Sequence, residues 1–398
     1  NKVYIMELHC WGISHKSTSL EVREKFAFNK KEIDEVLTNL KITNTFDNGI
    51  LLSTCNRTEF YSVCSRSDIK NFEKVVSKIL NKFENLRKND QYLYAGTEAF
   101  KHSLKVMTGI DSMIIGEPDI FGQVKKSLNN SRSMGFLNTE LENTFNNAIR
   151  FSKLIRTETD LSKNPLSIST IVEGFISNED EINSVLVIGG GDVSRKLVPK
   201  LNKKGKEVFL VNRSDVEISG IKSDSLSKIN TYLKKSDAVV IVASSNKNFI
   251  EEDFLSKIQK NILVFDLAIP RNISFKIPKN KNVTVITLDE LGEMLKKNED
   301  TRKEEVNAAK KIIKLNADKE FRKLKNKQMM GRNQKEAREK IFNAKTEALK
   351  KAKSSLKKGI DVEEVLEDLA NEIASKNAHE LSKIIDDPSI ISFIKKSK

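Results

Sequence analysis

Four short apolar runs constrain this chain more than any other feature. They are Val185-Leu186-Val187-Ile188, Val208-Phe209-Leu210-Val211, Ala238-Val239-Val240-Ile241-Val242 and Ile262-Leu263-Val264-Phe265. A strand with one wet face alternates polar and apolar residues. A run with no polar member is buried on both faces, and such strands belong to parallel sheets flanked by helices. Val283-Thr284-Val285-Ile286 is the expected last strand, after which strand signals stop near Leu288.

The remainder is organised differently. Residues 3 to 13 begin as a strand that breaks into a loop at Gly12-Ile13-Ser14-His15. The opening Asn1-Lys2-Val3-Tyr4-Ile5 reads as strand, not as a signal or transit peptide. Leu20 to Phe28, Lys31 to Leu40, Ile69 to Leu86, Thr97 to Thr108 and Glu140 to Thr157 read as helices. Phe72, Val76 and Phe83 mark one apolar face, Thr97 is a candidate N-cap, and Pro118 suits the first turn of a further helix. Pro165 and a serine-rich stretch place the first domain boundary near 160 to 175. Beyond residue 300, Val306, Ala309, Ile313, Ala317, Phe321 and Leu324 recur at helical spacing. Helices then run to about Ile385, broken at Gly359, with Pro388 near the end.

A length of 398 residues implies two or three domains. With 38% hydrophobic and 31% charged residues, and no apolar run near the ~20 residues of a membrane span, a soluble protein is expected. Cys10, Cys55 and Cys64 have neither disulfide-framework nor zinc spacing, and the four histidines are scattered. No metal site is expected, and a reducing cytoplasm fits. The net charge of +14 suits either a lysine-rich surface or a polyanionic partner such as RNA. Lys319 to Lys358 carries about 15 of the basic residues against about 4 acidic ones.

Two constellations carry chemistry. The first apolar run ends in Gly189-Gly190-Gly191-Asp192-Val193-Ser194, a glycine-rich turn that opens a helix and can bind pyrophosphate. Ser194 stands at the third glycine of the usual fingerprint. The second run ends in Asn212-Arg213-Ser214, where NAD sites usually carry an acid. An Arg with two small polar donors suits a 2′-phosphate, so NADP is favoured. The second constellation is Ser53-Thr54-Cys55-Asn56-Arg57, a polar break between strand-like runs. Most lone cysteines are buried filler, the reading for Cys10 and Cys64. Cys55 lies beside Arg57, which can clamp a carboxylate through two hydrogen bonds. A thiolate forms a thioester from an acyl group, and hydride reduces a thioester to an aldehyde. His102 is either structural or a general acid/base near the leaving group; His15 is weaker, and His9 and His379 lack context.

The same residues resemble the glutamyl-tRNA reductase family. Gly12-Ile13-Ser14-His15-Lys16 with Arg23-Glu24-Lys25-Phe26-Ala27-Phe28 is similar to its opening motif. Ser53 to Glu59 resembles its catalytic-cysteine motif, and His102 with Gly109 to Lys125 its third signature. Asn212-Arg213-Ser214 and Asp266-Leu267-Ala268-Ile269-Pro270-Arg271 look like its cofactor-domain motifs. Asp119 and Phe121 stand where the family usually has Gln and Leu, and the expected C-terminal Trp and Pro-Thr landmarks are absent.

The resemblance implies an α/β catalytic domain over 1–165, an NADP-binding Rossmann-like domain over 166–290, and a long helix with a helical dimerisation domain over 291–398. It implies NADPH-dependent reduction of glutamyl-tRNA(Glu) to glutamate-1-semialdehyde, the first step of 5-aminolevulinate and tetrapyrrole synthesis. Cys55 is then the nucleophile and His102 important for activity. Thr54, Asn56, Arg57, Ser112, Glu117, Pro118, Asp119 and Gln123 line the glutamyl pocket, and Gly189, Gly190, Gly191, Asp192, Val193 and Ser194 contact NADPH. A homodimer, and a partner aminotransferase that consumes the aldehyde, are implied too. Two domains far apart would need a closing motion. A different NADP acyl reductase acting on a small molecule, or a non-catalytic tRNA-binding homologue, are the alternatives that the residues leave open.

Overall fold

The computed structural model describes residues 6–80, 86–161, 163, 167–243, 245, 248–273, 280–296 and 302–385. The chain divides into two compact units, Asn1–Asp318 and Lys319–Lys398. The first unit opens with β1 (Glu7–Ser14), α1 (Leu20–Phe26), α2 (Lys30–Ile42), β2 (Ile50–Ser53), β3 (Arg57–Cys64), α3 (Arg66–Leu80), β4 (Tyr92–Ala95), α4 (Gly96–Thr108), α5 (Asp119–Ser133) and α6 (Thr139–Glu158). Its four strands form an antiparallel sheet in the order β2-β3-β1-β4.

Strand alternation divides this lobe into two layers. Trp11, Ile13 and Phe60 join Val36, Leu37 and Leu40 of α2 and Ile69, Phe72 and Val76 of α3 in one aromatic-rich core. Phe60 stacks on Phe72 with ring centroids 4.1 Å apart. On β3 the neighbouring Tyr61 turns the other way and meets Phe145 of α6 edge-on at 5.0 Å.

The second lobe follows with α7 (Ile168–Ser177), β5 (Ser184–Ile188), α8 (Asp192–Lys203), β6 (Glu207–Val211), β7 (Glu217–Ile218), β8 (Ile221–Lys222), α9 (Ile229–Lys235), β9 (Ala238–Ile241), α10 (Glu252–Ser256), β10 (Ile262–Asp266), β11 (Val283–Thr287) and α11 (Leu288–Lys296). Each expected run is a strand of one parallel sheet in the order β11-β10-β9-β5-β6. Both faces are covered, as the lack of alternation requires. Val185 and Val187 of β5 pack with α7 and α8, while Leu186 and Ile188 pack with α9 and α10. The chain lays β6 on one side of β5 and β9 on the other, so strand order reverses between β5 and β9. Ligands of open α/β sheets bind at the carboxyl ends of the strands at such a reversal.

The last elements are α12 (Lys303–Lys357) and α13 (Val362–Ile385), separated at Gly359, whose φ is 82°. All six residues of the stripe from Val306 to Leu324 are buried. No helix among the described residues is long and apolar enough to cross a membrane.

Several local expectations need correction. β1 runs through Gly12 to Ser14; a Cβ at Gly12 would sit 2.8 Å from Glu59 and Tyr92, so glycine there serves close packing, not a break. β4 went unread because it is a four-residue edge strand, none of it buried. The serine-rich stretch holds α7, where Ser167 caps Thr170 N–H and Ile168, Ile171, Val172 and Ile176 are buried. α4 starts at Gly96 with Ala95, not Thr97, in the cap position, and Pro118 is the N-cap of α5. The expected start of the first strand at residues 3–5, Phe83 in the expected Ile69–Leu86 helix, Pro165 and Pro388 lie outside the described residues.

Candidate active site

The turn between β2 and β3 is closed by its own backbone. Ser53 pairs with Thr58, and Thr54 N–H donates to the Arg57 carbonyl at 2.8 Å. The Thr54 hydroxyl accepts from the N–H groups of Asn56 and Arg57, both at 3.2 Å. His15 N–H binds the Asn56 carbonyl at 2.9 Å. Every neighbour is thus pinned, and Cys55 is presented at the tip, half-buried.

Cys55 faces a cavity of about 240 Å³. Ser53 and Thr54 share one wall with Glu117, Asp119 and Gln123 at the start of α5. The opposite wall is Val193, Val242, Leu267, Ala268 and Ile269. These follow β5, β9 and β10, so the cavity lies at the carboxyl ends of the strands around the reversal. Cys55 also packs against the apolar cluster that contains Val185 and Val187. The separation that would demand a domain swing is therefore absent from this arrangement.

Burial and the Asp119 charge raise the Glu117 carboxyl to about 7. Asn56 Nδ2 donates to Glu117 Oε1 at 3.4 Å, and the buried Ser112 lies beside the same carboxyl. Burial and then the Glu117 charge push the Cys55 thiol up to about 12, outweighing Arg23 and Arg57. At neutral pH Cys55 is a thiol, and ionising it requires a base or a neutral Glu117. Asp119, the residue that departs from the resembled family, forms an ion pair with Lys196 of α8.

Arg57 and His102 are joined to each other rather than to the cavity. Arg57 Nη1 donates to Glu59 Oε1 at 2.9 Å and Asp111 Oδ2 at 3.0 Å, and Nη2 donates to the Asp111 carbonyl. His102 Nε2 lies 2.7 Å from Glu59 Oε1. Tyr92 and Tyr61 donate to the same carboxylate at 2.5 and 2.6 Å. Burial alone would raise the Glu59 carboxyl, but His102 and Arg57 hold it well below the usual range. Neither Arg57 nor His102 is among the described residues that line the Cys55 cavity. Sequence reasoning gave Glu59 no role. Its signal was there: residues i and i+2 of a strand share a face, so Glu59 had to meet Arg57. A Cys10 sulfur, a Glu59 oxygen and a His102 nitrogen lie within 4.8 Å of one another. A cation there would have to displace the hydrogen bonds the carboxylate already accepts.

The glycine turn fits a dinucleotide. Gly189 has φ +115°, and a Cβ on it would lie 2.9 Å from Ala243. Gly191 is the N-cap of α8 without a side-chain cap, and a Cβ there would meet nothing within 4 Å. That is open space at a helix N-terminus, the place for a phosphate. Ser194, fully buried, replaces the third glycine by donating to the Gly189 carbonyl at 2.5 Å. Gly190 lies against Val216 and Asn212, Asp192 bonds Lys126 at 2.5 Å, and Val193 reaches the cavity. Asn212 Nδ2 donates to the Ser214 carbonyl at 2.9 Å, leaving Arg213 exposed at the end of β6.

Comparison with known proteins agrees with this division. Residues 11–159 match the family "Glutamyl-tRNAGlu reductase, N-terminal domain". Residues 176–294 match "Shikimate / quinate 5-dehydrogenase", which makes the parallel-sheet lobe an NAD(P)-binding domain. A solved structure, glutamyl-tRNA reductase from Methanopyrus kandleri, covers 94% of this chain and 93% of its own with a TM-score of 0.52; at 23% identity it speaks for the fold alone. A glutamyl-tRNA reductase of Ruthia magnifica subsp. Calyptogena magnifica is 31% identical over 403 residues, 95% of either chain. With a relative 31% identical over nearly its whole length and the reductase N-terminal domain matched, this chain belongs to the glutamyl-tRNA reductase family of oxidoreductases.

Proposed function

We propose that this protein reduces glutamyl-tRNA(Glu) to glutamate-1-semialdehyde through a thioester on Cys55, the first step of tetrapyrrole synthesis, with NADPH as reductant. One observation carries the mechanism: the cavity that Cys55 faces is completed by residues at the carboxyl ends of the nucleotide-lobe strands.

The Cys55 sulfur bonds to the glutamyl carbonyl carbon, the ester C–O bond breaks, and tRNA leaves. Glu117, raised to about 7, takes the thiol proton and returns it to the departing ribose oxygen. As it becomes neutral it also stops opposing the Cys55 thiolate. The chemistry NADPH supplies when bound is a hydride for the thioester carbon. Thr54, Asp119 and Gln123 line the cavity around that carbon, while Asn56 and Ser112 hold the Glu117 carboxyl and Pro118 starts the helix that carries Asp119 and Gln123. For the substrate carboxylate to reach Arg57, Asp111 must yield. Asp111 is the partly exposed member of the cluster, its side chain 15% accessible against 0% for Arg57 and Glu59. His102 supports the reaction from behind, holding Glu59 and through it Arg57.

The turn at Asn212-Arg213-Ser214 supports NADPH over NADH, because an exposed Arg at this strand end can pair with the 2′-phosphate. In the second unit, α12 and α13 are tied by Lys351 and Glu372 at 2.7 Å. Phe342, Val362 and Leu366 remain 57 to 65% exposed there, which supports a homodimer that covers them.

Cys55→Ser is expected to abolish aldehyde formation from glutamyl-tRNA; near-normal reduction would sink the mechanism. With Glu117 as base in its charged form, kcat/KM should rise with pH up to about 7 and then level. Glu117→Gln should lower kcat by ~10² or more and remove that limb; an unchanged pH profile would contradict the role. Arg213→Ala should raise KM for NADPH about tenfold and leave that for NADH unchanged. The double variant Phe342→Glu/Leu366→Glu should halve the mass seen by light scattering, whereas an unaltered mass would refute this dimer surface.

A further inference from the structure

The thioester has two fates. Hydride adds to its carbon and the C–S bond breaks, giving aldehyde and the Cys55 thiolate, which takes a proton from solvent; or water adds and the same bond breaks, giving glutamate and thiol. Both regenerate Cys55, so the outcome depends on what reaches the carbon first. Of the apolar residues that line the Cys55 cavity, Ala27 and Phe28 belong to the catalytic lobe, whereas Ile168, Val193, Val242, Leu267, Ala268 and Ile269 come from the nucleotide lobe. Lifting that lobe exposes the thioester to bulk water.

Charged pairs remote in sequence hold the lobe down. Arg271 is two residues beyond the cavity wall at Ile269. Its backbone N–H and Nε both donate to Glu24 Oε1 at 2.7 Å, and its Nη2 donates to Oε2 at 2.9 Å. Glu24 lies on α1, three residues before Ala27 on the facing wall. Its neighbour Arg23 pairs with Asp289 of α11 at 2.5 Å. Across the cavity, α5 and α8 exchange Asp119–Lys196 and Lys126–Asp192. The Arg271–Glu24 pair is the sheltered one, with side chains 15% and 10% accessible, so salt screens it little. Its fork-shaped contact also fixes orientation as well as distance. Neither residue is among the described residues that line the cavity, so neither is placed to touch the reacting atoms.

We propose that Arg271 and Glu24 are positioning residues whose pairing keeps the nucleotide lobe closed over Cys55 and thereby directs the acyl group to reduction rather than hydrolysis. The inference rests on the thioester reading given above. Glutamate released from glutamyl-tRNA without nucleotide reads lobe opening directly, because no hydride donor is present; with NADPH, the aldehyde-to-glutamate ratio reads its consequence.

Arg271→Glu should speed nucleotide-free hydrolysis about fivefold and lower the aldehyde share with NADPH by a similar factor. The charge exchange Glu24→Arg/Arg271→Glu should move both values back towards wild type. Hydrolysis itself requires an intact Cys55 turn, so a faster rate also shows that the catalytic lobe is folded. An Arg271→Glu protein with unchanged hydrolysis and product ratio overturns the proposal. So does an exchange variant no nearer to wild type than the single one. Cys55→Ser is the separate control: hydrolysis that survives it refutes the thioester on which the proposal stands.

Discussion

The catalytic lobe is built around a charge that water does not reach. The Arg57 side chain is fully buried, and an uncompensated guanidinium there would be costly enough to undo the fold. Glu59 and Asp111 neutralise it. Glu59 is itself buried and is satisfied only because Tyr61, Tyr92 and His102 converge on it. These partners come from β3, β4 and α4, with Asp111 from the loop that follows. Meeting the demands of one cation therefore fixes the strand order, the seat of α4 and the path of the chain into α5. Glu117 and Asp119 reach the Cys55 cavity because that path is fixed.

The cavity has opposed requirements. A wall of Val242, Leu267, Ala268 and Ile269 excludes water but also disfavours charge, which is why Cys55 rests as a thiol. The same desolvation raises Glu117 to the range where a carboxylate can accept a proton at neutral pH. In the proposed reaction, attack by sulfur and relay of its proton are coupled through one environment, because the Glu117 charge itself raises the Cys55 thiol. Closure of the nucleotide lobe contributes to that environment as well as bringing the cofactor domain near. Asp266 shapes the closing wall: its carboxylate accepts from the N–H groups of Asn272 and Ile273 at 2.7 and 3.0 Å and folds the chain that carries Leu267 to Ile269.

Legibility in the sequence followed physical distance along the chain. The strands of the five-stranded sheet were readable: burial on both faces leaves a mark in the consecutive residues of β5, β9 and β10, whereas the two-residue strands β7 and β8 were too short to leave one. The Cys55 turn and the glycine turn were readable for the same reason, being local. α7 was hidden by its serines, although Ser167 was a usable cap signal. The role of Arg57 was less accessible: residue type shows that it can clamp a carboxylate, but not whose. Asp111 is 54 residues away and takes that place in this structure. Asp119 shows the same limit. As a departure from Gln it had no explanation until α8 brought Lys196 to it, 77 residues on. Pairings between lobes leave no periodicity, so the contacts that close the cavity were invisible from the sequence alone.

The proposed reaction stands on one covalent bond. Single-turnover reaction with glutamyl-tRNA in the absence of nucleotide, followed by acid quench, digestion and mass spectrometry, would locate the acyl group. Glutamyl is expected on the peptide containing Cys55, and it should disappear when NADPH is added before the quench. No adduct, or an adduct on Cys10 or Cys64, would contradict it.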